Sequence, residues 1–91
     1  MRLIVYNPRG GAAIWGSRLR AALRELQAQP GPYLLVATEA ADMPGPVRRA
    51  LAQHGETKMV VACGGDGTVA ACADAIGDRD IPIAVIPTGT T

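Results

Sequence analysis

Four short apolar runs set the limits on how this 91-residue chain can fold. They are Leu3-Ile4-Val5-Tyr6, Tyr33-Leu34-Leu35-Val36-Ala37, Met59-Val60-Val61-Ala62 and Ile81 to Ile86. A strand with one face in water alternates apolar and polar residues. These runs do not alternate, so they read as strands buried on both faces. Helical patterns lie between them. In Ala12 to Gln29, Trp15, Leu19, Ala22, Leu23 and Leu26 fall on one face, with Arg18, Arg20, Arg24, Glu25 and Gln29 largely off it. Pro30-Gly31-Pro32 ends that helix. Thr38 to Pro46 reads as a loop and Val47 to His54 as a short helix, with Gly55 as its C-terminal cap. Thr68 to Ile76 reads as a third helix, and Pro82 stands at the start of the last strand, where a missing N–H is tolerated. The order βαβαβαβ predicts an α/β fold: a parallel sheet with helices on both faces and right-handed crossovers.

Composition removes several classes of function. Nine basic against eight acidic residues leave a net charge of +1, without the basic stripe of a nucleic-acid binder. No apolar run approaches the roughly 18 residues of a membrane-spanning helix, so no transmembrane segment is expected. Charged and turn residues after Tyr6 break any secretory signal pattern. Cys63 and Cys72 form no C-x-x-C pair, and His54 is the sole histidine, so no metal-ligand set is expected. Both cysteines read as free thiols of a cytoplasmic protein. The chain stops at Pro87-Thr88-Gly89-Thr90-Thr91, a turn-like stretch straight after a strand. It is therefore expected to be the N-terminal part of a longer protein.

In a parallel sheet covered by helices, ligands sit beyond the carboxyl ends of the strands. Those ends are Asn7-Pro8-Arg9-Gly10-Gly11, Thr38-Glu39, Gly64-Gly65-Asp66-Gly67-Thr68, and Pro87 to Thr91. Glycines let a ligand approach the backbone, and the N–H groups that open a helix make an anion site. The third loop combines both, and Cys63 beside it reads as a small buried residue. Gly65 to Ala70 also fits the loose dinucleotide pattern G-x-G-x-x-A, but the next strand ends in Ile86-Pro87 rather than in an acid for a ribose. A Walker Gly-Lys-Ser/Thr is absent. Asp66, in the middle of the turn, has three readings: a base for an acceptor hydroxyl, a partner of Mg²⁺ or its waters, or a local cap or Asx turn. Arg9 either offsets phosphate charge or is simply solvated. Thr38 either donates to a phosphate or caps a turn. Trp15 belongs with the apolar helical face.

With these residues in place, the chain resembles the diacylglycerol kinase catalytic domain family. That family includes bacterial lipid kinases and sphingosine kinases and is related to NAD kinases. Asn7-Pro8-Arg9-Gly10-Gly11 is similar to its Asn-Pro-x-Ser/Ala-Gly opening. Gly64-Gly65-Asp66-Gly67-Thr68 matches its Gly-Gly-Asp-Gly-Thr signature, and Pro87-Thr88-Gly89-Thr90-Thr91 is similar to the start of its Pro-x-Gly-Thr-x-Asn-Asp segment. The resemblance implies a Rossmann-like, NAD kinase-like lobe, incomplete at the C-terminus, with residues 1–91 as the nucleotide-binding part and a β-rich second domain beyond it. It implies ATP and Mg²⁺ as cofactors, with Asn7, Pro8, Arg9, Gly10, Gly11, Thr38, Gly64, Gly65, Gly67, Thr68, Thr88, Gly89 and Thr90 around the nucleotide. Asp66 is implied as the base that activates a lipid hydroxyl such as that of diacylglycerol. A cytoplasmic enzyme of phospholipid metabolism follows, peripheral at the membrane through the second domain and compatible with a homodimer. The Asn-Pro opening favours a lipid kinase over an NAD kinase. Two positions depart from the family: Gly10 replaces the usual Ser or Ala, and Ala70-Ala71 replace a common Asn-Glu. The second departure suits a non-catalytic nucleotide-binding module.

Overall fold

A computed structural model of the chain describes residues 1–7, 20–21 and 24–86. The four apolar runs form four strands: β1 (Arg2–Tyr6), β2 (Tyr33–Ala37), β3 (Met59–Cys63) and β4 (Ile83–Ile86). All pairings are parallel, and the strand order is β2-β1-β3-β4. The central strands carry the fully buried residues, Leu3, Ile4 and Val5 on β1 and Val60 to Cys63 on β3. The edge strands leave Tyr33, Leu35 and Val85 exposed. β4 begins two residues later than the apolar run suggests. Pro82 has no N–H to donate to a ladder, yet its carbonyl accepts from Val60 N at 3.0 Å.

The handedness of the crossovers explains where the helices lie. The steps from β2 to β3 and from β3 to β4 cross the sheet in one direction, so right-handed connections place both helices on one face. These helices are Pro44–Gln53 and Asp66–Ile76. Their Val47, Ala50, Leu51, Cys72, Ala75 and Ile76 pack with Leu3, Val5, Val36, Val60 and Ala62. Arg48 and Asp74 form an exposed ion pair between the two helices at 2.7 Å. The step from β1 to β2 runs the other way, which places the described part of its connection on the opposite face. Residues 20–21 and 24–28 of the expected 12–29 helix are described and helical. Leu26 packs there on Ile4, Val61 and Cys63. Trp15, Leu19, Ala22 and Leu23 lie outside the described residues. The sheet thus has helices on both faces, as the sequence pattern predicts.

One contact at the start of the chain was not foreseeable. The Arg2 guanidinium donates to the carbonyls of Leu26 (2.9 Å), Gln29 (3.2 Å) and Gly31 (3.2 Å). The last carbonyls of a helix lack internal partners. A cation placed among them satisfies them and complements the helix dipole.

The topology and the register together define one edge of the sheet. The chain leaves β1 toward β2 and then returns to place β3 on the other side of β1, so the topological switch lies between β1 and β3. Ala37, Tyr6, Cys63 and Ile86 stand level across the four strands. Thr38 N donates to Tyr6 O at 2.9 Å and Gly64 N to Ile86 O at 3.1 Å, which extends the ladder by one residue. Thr38, Asn7 and Gly64 therefore leave the sheet side by side, each about 4.8 Å from the next. Among the described residues, no helix is long and apolar enough to cross a membrane.

Candidate functional site

The glycine turn after β3 is built from three glycines with different reasons to be glycine. Gly64 has φ +149°, and a Cβ on it would stand 2.8 Å from Thr68 Oγ1. That backbone and that contact exclude a side chain. Gly65 has an extended φ of −95°, and a Cβ there would meet nothing within 4 Å. On Gly67 it would meet only the Met43 Cε, at an ordinary 3.8 Å. The fold needs glycine at 64 alone. The bare backbone at 65 and 67 leaves an open surface instead.

The helix begins at Asp66, with Gly65 as N-cap, two residues before the start that the sequence pattern suggested. Asp66 is thus the first helical residue rather than the centre of a loop. Thr68 N and Val69 N both donate to Gly65 O at 3.2 Å. The N–H groups of Gly65, Asp66 and Gly67 have no acceptor among the described residues, and all three residues are exposed. This is a donor set at the positive end of a helix, suited to an anion. The Asp66 carboxylate also has no hydrogen-bonding partner among the described residues and makes no side-chain cap. Its place in the first turn gives it a favourable interaction with the helix dipole, worth about 0.3–1 kcal/mol for an exposed acid. A carboxylate in the turn is therefore compatible with the fold and free to meet a ligand.

Two buried threonines belong to the same edge. Among the described residues the buried polar ones are Thr38, Thr57 and Thr68. Thr57 Oγ1 donates to His54 O at 2.6 Å. The hydroxyls of Thr38 and Thr68, which are 6% and 3% exposed as residues, have no hydrogen-bonding partner among the described residues. Leaving a buried hydroxyl unpaired costs about 1–3 kcal/mol. The satisfied threonine lies toward the amino edge of the sheet, and the two unsatisfied ones follow β2 and line the turn after β3. Asn7 stands between them, half-buried.

The segment after Thr38 forms a tight turn and then a helix. Asp42 N donates to Glu39 O at 3.2 Å, and Asp42 Oδ1 accepts from Gly45 N at 3.1 Å. A Cβ on Gly45 would collide with that carboxylate. Glu39 pairs with Arg49 at 3.4 Å. The helix begins at Pro44 rather than at Val47. The sequence offered a signal for this, because an Asp ahead of a proline is a recognised helix start. Met43 and Asp42 belong to the edge that holds the glycine turn, and sequence reasoning passed over both.

Burial pushes the Cys63 thiol up to about 11. Cys72 is raised to about 11 as well, first by burial and then by its neighbour Cys63. Near neutral pH both are protonated, so the residue beside the glycine turn is a packing residue rather than a nucleophile. Among the described residues no group of three or more His, Cys, Asp or Glu side chains could hold a metal ion. The turn supplies a single carboxylate, Asp66. Pro8, Arg9, Gly10, Gly11, Thr88, Gly89 and Thr90 lie outside the described residues. A shallow cleft of about 420 Å³ between Leu51, His54, Thr57, Arg79 and Ile81 lies toward the other edge of the sheet.

A search of curated proteins finds no match. The family model of the diacylglycerol kinase catalytic domain matches residues 2–91.

Proposed function

The chain belongs to the diacylglycerol kinase catalytic domain family, and on that premise we propose that it is the N-terminal, ATP-binding lobe of a lipid kinase. The observation that carries this reading is the set of N–H donors at Gly65, Asp66 and Gly67 and the buried hydroxyls of Thr38 and Thr68 at the same strand ends, all without partners among the described residues. A triphosphate is an anion with many acceptor oxygens, which such a set can satisfy. Asn7, Gly64 and the residues of the first and last strand-end loops complete the nucleotide surface in this reading.

Asp66 is the proposed base. Its carboxylate takes the proton of a lipid hydroxyl, such as that of diacylglycerol. The hydroxyl oxygen then bonds to the γ-phosphorus as the bond to the bridging oxygen of ADP breaks. Positioning and charge stabilisation supply most of the rate in such transfers. The helix start holds the phosphates in place, and the exposed Asp66 lies beside them. Bound Mg²⁺ would neutralise phosphate charge, and Asp66 is the residue of the turn able to touch it or its waters. The lipid would come from a membrane surface through a β-rich domain that follows this chain.

The test is Asp66→Asn in the protein that contains this lobe. Phosphorylation of diacylglycerol should fall by about 10²–10⁴-fold, the usual contribution of a positioned base, while ATP binding survives. Turnover at the normal rate would remove Asp66 from this role. A second reading is favoured by Ala70, which is exposed one helical turn after Asp66 and brings no polar group to the site. In that reading the domain binds nucleotide without transferring phosphate. ATP binding without lipid-dependent consumption, in the wild type as in Asp66→Asn, is its signature.

A further inference from the structure

We infer that Met43 is a ligand-contacting residue, the apolar wall of the site against which the nucleobase packs. The inference rests on the nucleotide reading above. Met43 stands immediately before the Pro44–Gln53 helix, is half-buried, and its Cε lies 3.8 Å from the place a Cβ would take on Gly67. It therefore borders the donors of Gly65, Asp66 and Gly67. The first turn of its own helix offers an anion little: Pro44 and Pro46 have no N–H, the N–H of Gly45 is occupied by Asp42 Oδ1, and only the N-cap N–H of Met43 has no acceptor among the described residues. What this side of the site presents is a thioether on a turn fixed by the Glu39–Asp42 hydrogen bond and the Asp42 cap.

A thioether gives nothing to a phosphate oxygen. It packs well on a flat aromatic ring, because the sulfur is polarisable and the unbranched chain adapts. A nucleotide whose phosphates fill the open helix start can direct its base toward β2 and onto this methyl group.

The three methionines of the chain make the test internally controlled. Met59 opens β3 and pairs with Arg2, so Met59 and Met1 lie at the amino edge, away from the site. Methyl-¹³C-methionine is incorporated, and ADP and pyrophosphate are titrated separately. ADP is expected to move the Met43 methyl resonance and leave Met1 and Met59 in place, whereas pyrophosphate leaves all three. Both ligands are expected to move the amides of Gly65 and Gly67. Glycine amides that respond to ADP with a still Met43 methyl overturn the inference and leave the nucleotide reading standing. So does a Met43 methyl that responds equally to both ligands, or one that responds only to diacylglycerol micelles. Glycine amides that ignore ADP overturn the nucleotide reading and the inference together. Met43→Ala should weaken ADP binding by roughly threefold to tenfold, with Met43→Leu restoring most of it. Unchanged affinity in Met43→Ala also defeats the inference.

Discussion

Two helices start side by side on the carboxyl edge of this sheet, and they treat their first N–H groups in opposite ways. The Pro44–Gln53 helix keeps only the N–H of its N-cap, Met43, without an acceptor among the described residues. Its first and third residues are prolines, and the N–H of Gly45 between them is taken by Asp42. The Asp66–Ile76 helix leaves Gly65, Asp66 and Gly67 without an acceptor among the described residues. Every helix start carries donors that its own turns cannot satisfy. A chain can remove them, cap them or leave them for a ligand. Here the first helix removes and caps, and the second leaves them open. The threonine hydroxyls repeat the contrast, since that of Thr57 is paired and those of Thr38 and Thr68 have no partner among the described residues. The contrast singles out the Asp66–Ile76 start as the more open of the two among the described residues.

The largest effect should come from Gly64. It is the residue that turns the chain from β3 into the open helix, with φ +149° and no room against Thr68 Oγ1. Gly64→Ala should cost about 2–4 kcal/mol, from a backbone region disfavoured for any side chain plus a forced contact. Urea unfolding measures it. A loss under about 0.5 kcal/mol, the range of an ordinary surface change, would mean that the turn relaxes easily and is not a rigid cradle.

Asp42 tests the closed start. Asp42→Ala removes the cap on Gly45 and should cost about 1 kcal/mol, read from the same unfolding curves. It should not create a second anion site, because the prolines on either side of Gly45 interrupt the run of N–H groups that such a site needs. Phosphate that binds Asp42→Ala at a second site, seen as new shifts at Gly45, would break the contrast between the two helices.

These differences show what the sequence could and could not reveal. The strands were legible because Leu3 to Tyr6 and Met59 to Ala62 are apolar without alternation, and that pattern has few other uses. Helices on both faces followed from the alternation of strand and helix. The order β2-β1-β3-β4 did not, because the same succession of elements suits other orders until the register is seen. Both site-edge helix starts were placed too late, at Val47 and Thr68, for the same reason. Proline and glycine usually mark loops, and here they stand in the first turn of a helix. The glycine turn and Asp66 were legible as a unit, but the division of labour among Gly64, Gly65 and Gly67 was not. It depends on a dihedral angle and on what a Cβ would touch. That the hydroxyls of Thr38 and Thr68 are buried without partners among the described residues is likewise a fact of three dimensions.

The smallest effect on stability is also the sharpest test of the open start. Gly67 is the second residue of its helix and exposed, and a methyl group there would meet only Met43 Cε at ordinary distance. On conformational grounds alone, Gly67→Ala should leave stability unchanged or raise it by up to about 1 kcal/mol. If the bare backbone exists for a ligand, the same change puts a methyl group among the donors and should weaken ADP binding by about tenfold, a cost of about 1.4 kcal/mol. Calorimetric titration beside thermal unfolding gives both numbers on one sample. Gain of stability with loss of binding is the pattern of a residue kept small for a ligand. Stability and binding lost together would make Gly67 a folding residue like Gly64, and the open helix start would then need another explanation for its glycines.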